Sequence, residues 1–425
     1  MFIVYAEHLS SRLEYILKFV LTEQLGINFQ LTNDKTFFTA SDVPKLNYSK
    51  KDLHSSFQVI PEGLLSESAI RSQKPDIFIF KNYPAFFSSS GTIPFDIFSA
   101  SFYLISRYEE YMPYEPDMYG RYPHTSSLAF KNNFINFPLV NIWISFFEEE
   151  LQNIFPSLVF KPKKFDWFPT YDIDIAYSYK HKGIKRTLGG FLKAPTSARL
   201  NVLINQETDP FDCYEFLHGI NKGSNTQPIY FFLVAEQTSK YDKNISPSSD
   251  AMRNLIREHS QYQIGIHPSW RSFTDPDLIK REKEILEEIT GTKTRLSRQH
   301  YIKMYLPATY EYLIAAGIQD DYSMGYGSIN GFRASVASSF YWYDLIKEKQ
   351  TSLRIHPFCF MDANSYFEQK QTPSETLGEL TDYHNISIKY ADQMITIFHN
   401  NILGTDPKFS GWREMYQQFT SRFQQ

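Results

Sequence analysis

The chain reads as an α/β protein of two units, on three observations. Apolar runs of strand length alternate with helix-period segments beyond residue 165, the first 32 residues already spell strand, helix and strand, and a Pro/Lys-rich stretch at Phe155–Lys164 separates the two rhythms. Strands that alternate with helices pair in parallel through right-handed crossovers, so the second unit is a wound sheet or a barrel. The units are placed at residues 1–158 and 165–425, within the two or three domains that 425 residues allow.

In the first unit, Phe2–Ala6 is a short apolar strand, and Ser11-Arg12-Leu13-Glu14 has the Ser-x-x-Glu form of a capping box. Leu13, Ile16, Leu17 and Val20 keep helical spacing up to Gly26, a C-terminal stop, and Asn28–Thr32 reads as the next strand. Asp76–Lys81 is a further strand. Phe95, Phe98, Phe102 and Ile105 form a helical stripe leading into Arg107–Tyr111, and Val140–Leu151 is the closing helix. The second unit offers seven strands, at Asp166–Asp172, Ile229–Val234, Gln263–His267, Leu296–Tyr301, Asp321–Met324, Leu353–Phe360 and Met394–His399. Helical patterns lie between several of them, at Ala251–His259, Asp275–Ile289 and Pro307–Ala316.

Composition narrows the function classes. Hydrophobic residues make up 42% and charged residues 21%, which excludes a disordered chain. A formal charge of −4 advertises neither nucleic acid nor anionic lipid as the partner of the whole chain, and nucleic acid is not expected. Cys213 and Cys359 are too few and too far apart for a thiolate metal site or a disulfide framework. The opening Met1–Ala6 runs straight into Glu7 and His8, without the basic start and the roughly 7–15-residue apolar stretch of a secretory signal. No stretch approaches the roughly 18 apolar residues of a membrane span. A cytoplasmic location without an integral membrane segment is therefore expected. Oligomeric state is not legible.

The chemistry concentrates at strand ends. Pro169-Thr170-Tyr171-Asp172-Ile173-Asp174 puts two carboxylates at the end of the first strand of the second unit, and residues two apart on a strand face the same way. Two like charges so close are tolerable if a cation neutralises one while the other takes a proton from water. Histidines then close later strands: His267, His300, His356 and His399. In a parallel α/β fold such ends gather on one face. Imidazole and carboxylate together suit a divalent metal, zinc first, with three protein ligands and one open position.

These residues resemble the polysaccharide deacetylase family, the NodB-homology fold of carbohydrate esterase family 4, over about residues 165–405. The resemblance implies a distorted (β/α)7 barrel preceded here by a smaller α/β domain. It implies that Asp172 is the base and Asp174 a metal ligand, and that His267 is the first histidine of the family's His-x-x-x-His motif. In Ile266-His267-Pro268-Ser269-Trp270-Arg271, however, Arg271 stands where the second ligand belongs, and His300 is taken as its substitute. Arg298 corresponds to the arginine that supports the catalytic aspartate, with Arg333 as the alternative for that task. His399, in Thr396-Ile397-Phe398-His399-Asn400, corresponds to the general acid. The implied activity is metal-dependent removal of acetyl groups from N-acetylated sugars, polysaccharide or a lipid-linked sugar.

Rival readings stay open on the residues alone. A degenerate relative that binds glycan without cleaving it would explain Arg271. An Asp-x-Asp phosphohydrolase would leave His267, His300 and His399 without a task, and a glycosyltransferase would want a Gly-rich phosphate loop that is not visible. The basic run His181–Arg186 reads as a solvated loop, with an anionic or lipid-linked glycan as the alternative partner. Trp270 and Trp342 read as packing, and Arg107, Glu109 and Glu110 as a surface or interdomain ion-pair cluster.

Overall fold

A computed structural model describes residues 2–193, 195–222 and 226–423. The chain is mixed α/β. Strands β1 (Phe2–Ala6), β2 (Phe29–Thr32) and β3 (Lys45–Tyr48) form a parallel sheet in the order β2-β1-β3, with Val4 between Leu31 and Leu46. Every residue of β1 is buried, which is why its run is apolar without alternation. The helix Ser11–Leu17 crosses to β2 and continues as a π-helical stretch, Lys18–Gln24. Its cap is Ser10, whose hydroxyl accepts from the Leu13 amide at 3.1 Å, so the expected box at Ser11 is off by one residue. A two-stranded hairpin, β4 (Phe78–Phe80) and β5 (Tyr83–Ala85), and two helices, Ile97–Ile105 and Leu139–Ile154, complete this part.

The second part is built on a nine-stranded sheet: β6 (Asp166–Ile173), β7 (Ile229–Phe232), β8 (Gln263–Ile266), β9 (Leu296–Ser297), β10 (Asp320–Asp321), β11 (Phe340–Asp344), β12 (Lys349–Ile355), β13 (Phe360–Met361) and β14 (Gln393–His399). The order is β11-β12-β10-β9-β8-β7-β6-β14-β13, and all neighbours are parallel except β11 and β12. The sheet has nine strands where the expected distorted (β/α)7 barrel has seven, and closure of that barrel is not shown. The run Leu353–Phe360 holds the end of one strand and the start of another, an antiparallel edge strand is added, and no ladder joins β13 back to β12 or β11 among the described residues.

The basic run is not a loop. It opens the helix Gly183–Lys193, which is followed by Ser197–Leu203 and Tyr214–Lys222. A further long helix, Pro373–Tyr390, starts at a capping box in which Thr372 and Glu375 bond each other's backbone. No helix among the described residues is long and apolar enough to cross a membrane.

The two parts share one hydrophobic cluster, which includes both Phe2 and Phe419. Arg12 donates from Nε to Glu348 at 2.9 Å, Tyr15 donates its hydroxyl to the Tyr341 carbonyl at 2.7 Å, and the Tyr15 and Phe102 rings pack on Tyr343. The front part thereby covers the antiparallel edge, β11, that would otherwise present unpaired backbone. Deeper in the same contact, Arg333 forks onto Glu110, with Nε donating to Oε1 at 2.8 Å and Nη2 to Oε2 at 2.5 Å, and Arg107 Nε reaches Glu110 Oε1 at 2.7 Å. The Arg107–Glu110 cluster is thus buried between the two parts rather than at the surface.

Candidate metal centre and active-site pocket

Register brings the site together. Parallel pairing of β6 with β14 sets His399 beside Asp172, and Asp174 follows one residue past the end of β6. β8 delivers His267 directly after Ile266. His300 begins a turn beyond β9 in which Tyr301 (φ 60°) and Ile302 (φ 51°) take left-handed backbone and reverse the chain. All five side chains line one pocket of about 450 Å³.

Asp174, His267 and His300 each offer one donor atom, and these lie within 4.8 Å of one another. His267 Nε2 is 3.1 Å from Asp174 Oδ1, and His300 Nε2 is 3.4 Å from Asp174 Oδ2. Three ligands held tetrahedrally ~2.0–2.1 Å from one zinc ion stand ~3.3 Å apart, which both histidine–carboxylate distances approach. The ring orientations fit as well. His267 Nδ1 faces the Arg298 carbonyl at 2.6 Å, and a carbonyl only accepts, so Nδ1 carries a proton and Nε2 is the nitrogen left for a metal when the ring is neutral. His300 Nδ1 bonds Asp242 Oδ1 at 3.0 Å, a carboxylate–imidazole pairing of the kind that orients metal-binding histidines. Asp174 Oδ1 is a buried oxygen that accepts no hydrogen bond, a cost that a cation would remove.

The electrostatics agree. Burial works to raise the Asp174 carboxyl, but His300 and His267 overcome it and hold that group well below the usual carboxylate range. Burial works to lower His300, yet Asp174 and Asp242 lift it to about 9. Without a metal, the carboxylate pair therefore holds a proton on His300.

Asp172 is buried and oriented. Arg298 Nη1 donates to Asp172 Oδ1 at 2.8 Å and to Thr170 Oγ1 at 2.7 Å, and its Nε donates to the Tyr322 carbonyl at 3.0 Å. Its guanidinium lies 4.4 Å from the centre of the Phe231 ring. Phe231 has that position because its neighbour across the ladder is Gly265, where a Cβ would sit 2.4 Å from the ring. Asp172 Oδ2 stays free of Arg298 and lies 3.7 Å from His267 Nε2. His399 Nδ1 is 2.6 Å from Asp362 Oδ1, and its backbone amide donates to Asp362 Oδ2 at 2.7 Å. Burial opposes the charged ring, but Asp362 together with Asp174 and Asp172 raises His399 to about 10. His399 Nε2 lies 3.7 Å from Asp174 Oδ2.

Two expected residues are placed elsewhere. Arg333 does not reach Asp172: its fork is occupied by Glu110, and the orienting bond comes from Arg298 alone. His356 bonds Asp320, the first residue of β10, at 2.8 Å and stacks on Tyr322 at 4.4 Å, so it does not join the other three strand-end histidines. Arg271 bonds Gln237 at 2.5 Å. Trp342 is buried, whereas Trp270 is partly exposed and stacks on Tyr241 at 3.8 Å within an aromatic cluster that reaches Tyr119 and Tyr301 on the pocket wall.

Asp242 and Asp362 were not anticipated; Asp242 lies in the loop beyond β7 and Asp362 opens the helical stretch directly after β13, each a lone carboxylate with no motif around it. Nor was the contribution of the front part, which sends Tyr119 and Arg121 into the pocket wall, with Arg121 Nη1 donating to the Tyr301 carbonyl at 2.7 Å.

Comparison with known proteins adds the following. A model of a family of unknown function (DUF7033) matches residues 2–156. No curated protein matches. Among solved structures, the chain is similar to a putative polysaccharide deacetylase from Mycobacterium smegmatis, at 15% identity and a TM-score of 0.41, covering 62% of this chain and 84% of that one. It is similar to a polysaccharide deacetylase from Bacillus cereus at 8% identity and a TM-score of 0.32, covering 61% and 88%. It is also similar to the Puue allantoinase at 11% identity and a TM-score of 0.37, covering 61% and 83%.

Proposed function

We propose that the chain is a metal-dependent hydrolase that removes acetyl groups from N-acetylated sugars. The observation that carries this reading is the convergence of the donor atoms of Asp174, His267 and His300, flanked by an Arg-held carboxylate and an imidazole paired with Asp362. A divalent ion held there, zinc first by its donor set, supplies Lewis acidity and lowers the pKa of water toward ~7.

The protein's own groups do the proton work. Asp172 has Oδ1 tied to Arg298, so Oδ2 is the atom that takes the proton from the attacking water. His399 has Nδ1 tied to Asp362, so only Nε2 can release a proton, and it goes to the departing amine nitrogen. One proton is taken and one is given, and the products are acetate and a free amino sugar. The Asp362 carboxylate keeps a proton on the His399 ring, and the departing amine nitrogen is where that proton is needed as the C–N bond breaks. The pocket wall mixes Tyr119, Tyr301 and Phe367 with the amides of Gln299, Asn364 and Asn401, the combination of ring faces and hydrogen-bonding groups that sugars require.

The test is acetate release from N-acetylhexosamine oligomers, with and without a chelator. Activity abolished by metal removal and restored by zinc is expected. Asp172→Asn is expected to lose turnover by at least about 10²-fold while keeping its metal. Activity indifferent to chelation sinks the mechanism. A metal-free protein that nonetheless binds the oligomers would make the chain the non-hydrolytic binder instead.

A further inference from the structure

Residues 180–206 carry six cations, Lys180, Lys182, Lys185, Arg186, Lys193 and Arg199, and no carboxylate, in a chain whose formal charge is −4. The helices Gly183–Lys193 and Ser197–Leu203 present this charge together with apolar side chains turned to solvent. Ile184, Leu188 and Leu192 are 86%, 59% and 76% exposed and recur every fourth residue, so they form one stripe. Leu200, on the second helix, and Ile204, its C-cap, are exposed as well, at 46% and 52%. Five of the sixteen exposed large hydrophobic residues among those described fall within these twenty-one positions, so this is a patch rather than scatter.

Beside the stripe lies a cleft of about 370 Å³ lined by Lys182, Arg186, Lys193 and Arg199 with Ser178 and Tyr179. Arg186 donates to the carbonyls of Asn244 and Lys243, at 2.9 and 2.6 Å. Arg199 lies 4.8 Å over the Tyr179 ring, and its Nε is buried without a hydrogen-bond partner. Burial first, and then the neighbouring Arg186, pushes the Lys182 ammonium down to about 8 against the opposing pull of Asp209.

An apolar stripe flanked by lysines and arginines is the composition of a helix that lies in a membrane interface. We infer that this helix pair docks the protein on an anionic phospholipid bilayer, with the Ile184–Leu188–Leu192 stripe at the acyl boundary and the cationic cleft on lipid phosphate. A second copy of the chain is the poorer occupant, because it would set two uncompensated six-cation faces against each other. The pair is the next helical element after β6, and Asp172 and Asp174 lie at the C-terminal end of that strand, so a membrane-attached substrate is the class this docking favours. Only the consequence that the acetylated substrate is membrane-attached rests on the hydrolase reading; the binding does not.

The test is flotation of the full chain with vesicles of phosphatidylcholine alone and of equimolar phosphatidylcholine and phosphatidylglycerol. Association with the mixed vesicles alone is expected, weakening steeply toward about 1 M salt as charges are screened. Ile184→Ser/Leu188→Ser/Leu192→Ser is expected to abolish flotation. Lys185→Gln/Lys193→Gln should weaken it ~25-fold, at about fivefold per cation. All five side chains are exposed, so thermal midpoint and chelator-sensitive activity in solution should stay at the parent level. The inference is overturned if the parent chain does not float, if it floats equally on neutral vesicles, or if the serine variant floats unchanged. It is equally overturned if the chain binds inorganic phosphate without associating with vesicles, or if the serine variant only dissolves a dimer.

Discussion

On the proposed metal reading, Asp242 sets how hard the site holds an ion, and Asp242→Asn isolates that effect. Asp242 Oδ1 accepts from the His300 ring and from the Trp270 amide at 2.9 Å, while Oδ2 accepts from Ser239 at 3.0 Å. Alanine would strand a buried amide at a cost of ~1–3 kcal/mol, whereas asparagine keeps an acceptor and removes only the charge. Loss of such a partner typically lowers metal affinity ~10–100-fold, or ~1.4–2.7 kcal/mol. The effect must depend on pH. His300 has its pKa raised to about 9, so below that the ion has to displace a proton, at about tenfold in apparent affinity per pH unit. Removing the Asp242 charge weakens the hold on that proton as well as on the ion. Near pH 6.5 the two losses partly cancel, and near pH 9.5, where His300 is already neutral, the full loss appears. Zinc competition against a chelator of known affinity, for parent and variant at both pH values, measures this directly. A gap that is constant with pH, or wider in acid, would falsify the claim that Asp242 acts through the His300 ring.

Three further outcomes follow from the packing. Gly265→Ala drives a methyl into the Phe231 ring under Arg298 and is expected to cost ~1–3 kcal/mol in a urea melt and to lower turnover more than it changes KM; a variant with parental turnover would show that Phe231 does not position Arg298. Arg333→Met leaves Glu110 Oε2 unpartnered in the contact between the two parts, with Arg107 still on Oε1, and should cost ~1–3 kcal/mol, with kcat per folded molecule unchanged, whereas a turnover defect without destabilisation would return Arg333 to the site. Burial raises Glu282 to about 7 against two bonds from Ser269, so its contribution to stability is complete below the unfolded value of ~4.3 and is lost as pH rises through about 7. Glu282→Gln should therefore gain on the parent by up to ~3 kcal/mol between pH 4.5 and 8; parallel pH profiles for the two proteins would contradict this.

The strand ends were legible because burial on both faces makes a parallel strand a continuous apolar run, and a His or Asp after such a run stands out, as in Ile264-Gly265-Ile266-His267. Where burial is shared with polar letters the signal disappears. The helix Pro373–Tyr390 buries Thr376, Leu380, Tyr383 and Ser387, a correct helical period with too few apolar residues to read, although Thr372 and Glu375 spelled its cap. The antiparallel strand Phe340–Asp344 has no alternation, because the front part covers the face that would otherwise be polar. His356 looked equivalent to the other strand-end histidines because a run of letters does not record which way a side chain turns beyond the last ladder bond.

The place of the missing histidine shows what spacing can and cannot say. A ligand four residues after His267 would come from the same turn as its partner; here that turn spends Arg271 on Gln237, and the second imidazole arrives from the neighbouring strand end. The donor atoms still converge because β8 and β9 are adjacent, with Ile266 opposite Ser297, so residues one and three positions further on stand over the same gap. A different loop then has to orient the new ring, which accounts for Asp242 beyond β7, while the Arg298 carbonyl, two residues before His300, orients His267. The two imidazoles are therefore coupled through one short segment, Arg298–His300, which also carries the guanidinium that holds Asp172. Displacing that segment should disturb the proposed ion site and the proposed base together.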